Sequence, residues 1–132
     1  MNIDIEKLIE YWVNGACYDL DVADSLYNVG KYPYALFFGH LAIEKLLKAH
    51  VVKASNDHAP YTHSLPLLAS KLTLEIPDEI RKKFAKFMEF YFEARYPDQQ
   101  KIYFEKCTKE FSLENLSEIR EVFQWLLLRL GK

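Results

Sequence analysis

Cysteine is scarce in this chain of 132 residues: Cys17 and Cys107 are the two it has, and they stand far apart. That argues against a disulfide framework or a thiolate zinc site, which need more thiols at closer spacing. Four glycines are too few and too scattered to build a phosphate-cradling loop. No stretch alternates apolar and polar residues long enough to make a useful β-strand. No apolar run approaches the roughly 18 residues that a membrane span needs. Charge of one sign is also missing, with 17 Lys and Arg against 19 Asp and Glu and a net charge of −2. Such balance argues against a general electrostatic grip on nucleic acid, although it leaves room for a small basic site. The opening MNIDIEKLIEYW is amphipathic and acidic, unlike a secretory or transit leader, so a soluble, reduced, cytoplasmic protein is expected.

Hydrophobic residues make up 50% of the chain and aromatics 15%, which excludes disorder by composition. The length suits one domain over residues 1–132, burying roughly two-thirds of its unfolded surface. Helical periodicity dominates. A first helix is predicted from about Ile3 to Val29, closed by Gly30, and a second from Pro33 to Ala54. A short helix follows over Ser64 to Leu72 with Ser64 as its N-cap. Another begins near Pro77 and stops close to Arg95, because Pro97 pushes Tyr96 toward an extended conformation. Residues Tyr96 to Phe111 are compatible with a loop or with one or two helical turns. The last helix is predicted from near Ser112 to Leu130. Together these give an all-α, up-and-down four-helix bundle with an additional short helix.

The second helix carries a contradiction. It is apolar nearly all round, as a central helix should be, yet His40, Glu44 and Lys48 recur every four residues along one stripe. Buried polar groups must be paired or face a ligand, because unpaired buried charge is costly. Two readings follow: an intrahelical ion pair beside a hydrogen-bonded histidine, or a polar cleft that holds an anion, with Lys45 adding positive charge one step around. A second concentration lies where the later helix ends, at Tyr91, Glu93, Arg95, Tyr96, Pro97 and Asp98. Arg95 offers a planar fork for phosphate or carboxylate, and Tyr96 a stacking face. The plainer alternative pairs Arg95 with Asp98 or Glu93.

His63 is expected to cap or brace the short helix. Asp19, Asp21 and Asp24 are expected on a solvated face. His40 and Glu44 have helical ligand spacing, but no second Glu-x-x-His element follows, so no metal site is expected. No nucleophile elbow accompanies the scattered Ser, His and Asp residues.

Four segments, in order, resemble the HEPN family, the higher eukaryote and prokaryote nucleotide-binding domain: YDLDVADSLYNVGKYPYA, HLAIEKLLKA, YTHSL and FYFEARYPD. The likeness covers about Ala16 to Leu130. It implies a bundle of about five helices and frequent association with a small nucleotidyltransferase, in a toxin–antitoxin-like pair. Some members are ribonucleases, whereas others bind nucleotides or act as non-catalytic partners. The nuclease branch uses an arginine followed closely by a histidine. Here the arginines are Arg81, Arg95, Arg120 and Arg129, and His63 is the last histidine. Gln100, Lys101 and Ile102 occupy the window after Arg95.

The resemblance therefore implies a non-catalytic domain with no cofactor beyond a nucleotide ligand. That ligand would lie near Arg95, Tyr96, Asp98, Lys48, Lys45, Glu44, His40, Tyr91 and His63. The alternatives are a ribonuclease with a variant site at Arg95, His40 or His63, and a purely structural dimerisation module using Trp12 and Trp125. A homodimer is expected in each case.

Overall fold

A computed structural model of the chain describes residues 3–131, with the side chains of residues 97–99 outside that description. Six helices are found among the described residues, and no strand. Helix α1 (Ile5–Asn28) starts where the Asp4 carboxylate accepts from the Lys7 amide. It ends where Gly30 takes φ +80°, a left-handed turn open to glycine. Helix α2 (Tyr32–Ser55) follows at once with Pro33 in its first turn, and folds back along α1. The short helix α3 (Leu65–Ser70) has Ser64 as its N-cap, as expected. Helix α4 (Asp78–Arg95) places Asp78 and Glu79 at the positive end of its dipole.

The short helix α3 stops two residues before the expected Leu72, one stretch left open in the sequence is settled, and one start moves. The ambiguous stretch after Tyr96 is a true helix, α5 (Pro97–Lys106), with proline tolerated in its first turn. Helix α6 (Lys109–Leu130) begins three residues early, because the Thr108 hydroxyl accepts from the Phe111 amide at 3.1 Å and starts the helix there.

Helix α2 is the centre of the bundle and touches α1, α3, α4, α5 and α6. Leu36, Ile43, Leu46 and Leu47 are wholly buried on it, each contributing about 1.5–3 kcal/mol. Gly39 lets α6 approach, since a Cβ there would lie 2.6 Å from Ile119 Cδ1. Phe84, Phe87, Phe90 and Phe123 fill the rest of the core from α4 and α6.

The acids of α1 are not a uniformly solvated face. Asp19 is buried and lies 2.8 Å from Lys45 Nζ, in ion-pair contact without an aligned hydrogen bond. Asp24 pairs with Arg120 of α6. Burial explains the difference: an acid this close to the core is retained only with a cation beside it. Trp12 and Trp125 are half-buried against the core, with Lys48 over the first ring and Arg129 over the second. Among the described residues, no helix is long and apolar enough to cross a membrane.

Candidate functional site

Helical spacing brings His40, Glu44 and Lys48 onto one side of α2, and the bundle then buries all three. The Glu44 carboxylate is the focus. Lys48 Nζ donates to its Oε2 at 3.1 Å, while His40 Nε2–H donates to Oε1 at 3.3 Å. His63, in the link before α3, donates from Nδ1–H to the same Oε1 at 3.0 Å. An ionised carboxylate accepts only, which fixes both imidazole tautomers. Burial pushes the Glu44 carboxyl up, but His40, Lys48 and His63 together outweigh it and hold the carboxyl below its ordinary range. His40 Nδ1 is buried without a partner among the described residues.

Tyr91 of α4 closes this group. Its ring stacks on His63 at 4.8 Å between centroids and on Phe37 at 5.8 Å, and lies 5.0 Å from His40. Burial raises the Tyr91 phenol, with Arg95 opposing. One turn further along α4, the Arg95 guanidinium sits 4.8 Å from the Tyr91 ring centre and donates to its hydroxyl. Arg95 is exposed, and no carboxylate pairs with it among the described residues. Glu93, one of the two partners expected for it, makes no such pair and has one carboxylate oxygen buried without a hydrogen-bond partner among the described residues. Beside Arg95, Tyr96 is 57% exposed and stacks on Phe92. The side chain of Asp98 lies outside the described residues.

The structure thus joins His40, Glu44, Lys48, His63, Tyr91 and Arg95 in one continuous run of contacts from α2 to the end of α4. Lys45 does not belong to it: its ammonium crosses over Gly15 to reach Asp19 on the α1 side. Two members were not legible in advance. Trp12 lies under the Lys48 ammonium at 5.2 Å, and Phe37 backs Tyr91. Both join only when separate helices meet, so no local spacing signals them. His63 braces Glu44, while capping of α3 falls to Ser64. Among the described residues, no group of three or more His, Cys, Asp or Glu side chains is arranged to hold a metal ion.

The HEPN domain model matches residues 9–130, nearly the whole chain. The protein belongs to the HEPN domain family. Two solved structures share its fold. TT1696 from Thermus thermophilus superimposes with a TM-score of 0.77 at 20% identity, covering 89% of this chain and 94% of that one. ST0689, an archaeal HEPN homologue, gives 0.71 at 22% identity, covering 92% and 97%. A comparison with curated proteins returned no match. In this HEPN domain the Glu44 group and Arg95 form two layers, a neutralised interior and a cationic aromatic rim.

Proposed function

We propose that this HEPN domain is a non-catalytic module that holds a nucleotide at the Arg95 rim. We further propose that it works in the cytoplasm as the partner of a small nucleotidyltransferase, in a toxin–antitoxin-like pair. The observation that carries the nucleotide half is the Arg95 guanidinium, exposed, laid against Tyr91 and without a carboxylate among the described residues. A planar fork of that kind suits a phosphate, and Tyr96 offers an exposed ring for a base or ribose beside it. The start of α5 follows directly, adding the positive end of a helix dipole. In this reading His63 touches the ligand, while His40, Glu44, Lys48 and Tyr91 hold the rim in place. Lys48 and Lys45 have their charge answered by Glu44 and Asp19, so they lend less to an anion than their number suggests.

Calorimetry with ATP and GTP tests the nucleotide half. Binding that Arg95→Glu abolishes is expected, whereas no heat at millimolar nucleotide removes this half. Undiminished binding by Arg95→Glu removes Arg95 from the site. Co-expression with a nucleotidyltransferase from the neighbouring reading frame tests the partner half, and separate elution of the two chains removes it.

A second reading, a variant ribonuclease, is favoured by one feature. His63 is anchored through Nδ1 to Glu44, its side chain is 57% exposed, and the Tyr91 ring beneath it carries Arg95. That leaves Nε2 free to carry a proton, with the Arg95 cation on the same Tyr91 ring, the two kinds of group that general acid–base cleavage of a phosphodiester calls for. Reproducible cleavage of total RNA or tRNA that is lost in His63→Ala or His40→Ala would overturn the non-catalytic reading.

A further inference from the structure

The outward face of α1 has no role in the Arg95 rim and carries a regular pattern of its own. Tyr11, Gly15, Tyr18, Val22, Ser25 and Val29 follow one another at alternating steps of four and three residues. That is the spacing of a seam between two helices. Tyr11, Tyr18 and Val29 are 66%, 71% and 69% exposed. On its other side α1 packs on α2 and is tied to α6 through Asp24 and Arg120.

Two hollows mark the seam. One, of about 360 Å³, lies beside Tyr11, Trp12, Asn14 and Gly15 and is lined by Lys45, whose stem packs so close to Gly15 that a Cβ there would meet its Cδ at 3.2 Å. The other, of about 410 Å³, lies among Tyr18, Val22, Leu26 and Val29. Each is large enough to receive a Leu- or Phe-sized knob from a neighbouring helix.

Charge decides what covers this face. Helix α1 has one base, Lys7, and five acids, Glu6, Glu10, Asp19, Asp21 and Asp24. Asp19 and Asp24 are answered within the bundle by Lys45 and Arg120, which leaves Glu6, Glu10 and Asp21 exposed. On the helical wheel Glu10 and Asp21 lie together on one flank of the seam. In an antiparallel two-fold pairing of α1 with itself, each flank meets its own copy, so these acids would face acids. Like charges so placed are unfavourable.

We propose that the α1 seam docks an amphipathic helix of a different chain, with apolar side chains at three- and four-residue steps and Lys or Arg on the flank meeting Glu10 and Asp21. Knobs from that helix fill the two hollows, and the basic flank fixes its direction. The inference stands whether or not Arg95 holds a nucleotide.

Two synthetic helical peptides with the same leucine seam test it, one with lysine and one with glutamate on the flanks. Each is titrated into the full-length protein while backbone amide shifts are followed by NMR. The lysine peptide should shift α1 amides around Tyr18, Val22 and Val29 and bind about tenfold more tightly than the glutamate peptide, the order expected when two rim ion pairs become like-charge contacts. The exposed double variant Glu10→Lys/Asp21→Lys should reverse the preference, with circular dichroism showing the fold intact. Absence of shifts on α1 at millimolar peptide, or equal affinity for both peptides, overturns the proposal. So does a protein dimer in light scattering that Val22→Glu converts to monomer, since that gives the seam to a second copy.

Discussion

Replacing Glu44 with methionine should cost this protein about 3–5 kcal/mol, because it leaves a buried cation without its counter-charge. Glu44 is 4% exposed and accepts from Lys48, His40 and His63. Lys48 is itself buried, with its ammonium over the Trp12 ring of α1. Removing Lys48 instead is milder, about 1–2 kcal/mol, because Glu44 keeps two imidazole donors. The double variant Glu44→Met/Lys48→Met removes both charges and should lose less than Glu44→Met alone. Urea denaturation followed by circular dichroism measures all three, and the coupling should reach about 1–3 kcal/mol.

Acid provides a second readout. The Glu44 carboxyl sits below its ordinary value of 4.5 in the fold, so its contribution is complete above that pH. It is lost as pH falls through the lower folded value, and the gap between wild type and Glu44→Met should narrow there. A cost under about 1 kcal/mol for Glu44→Met, or strict additivity of the two single substitutions, would refute the picture of an interdependent buried cluster.

Gly39→Ala should cost about 1–3 kcal/mol in the same assay, since the new methyl would push Ile119 out of a filled core. Thr108→Ala should cost about 1 kcal/mol through loss of the α6 cap, while Thr108→Ser should be nearly neutral. His50 donates Nε2–H to the Leu126 carbonyl at 2.8 Å, and burial holds its imidazole below the ordinary 6.5, with Lys53 adding to the effect and the Leu126 bond opposing it. The folded state therefore resists protonation there, so stability falls as pH drops below 6.5 toward the folded value. His50→Gln keeps a donor and should flatten that slope in pH-dependent urea melts.

The pattern of apolar residues was enough to read the bundle, because periodicity is a local property of each helix. Ser64 and Pro33 announced their helix starts for the same reason, through chemistry confined to one turn. Helix α5 was not legible, since its polar sequence carries no strong apolar stripe and Pro97 points equally to a loop. The polar line His40, Glu44 and Lys48 was visible as a contradiction in hydropathy, and so was the concentration around Arg95. What joins them was not visible: Tyr91 reaching His63 depends on how α4 lies against α2. Lys45 shows the converse. One step around the helix was enough to send it to Asp19 on the opposite neighbour.

Because α2 touches every other helix and shares its most extensive interface with α1, neither of the two can leave without dissolving the core. Amide protons in the middle of α2 and on the buried side of α1 should accordingly exchange with solvent only through global unfolding, and those near the helix ends through local fraying. A landing strip carried on so firmly seated a helix needs no ordering before an incoming chain settles on it.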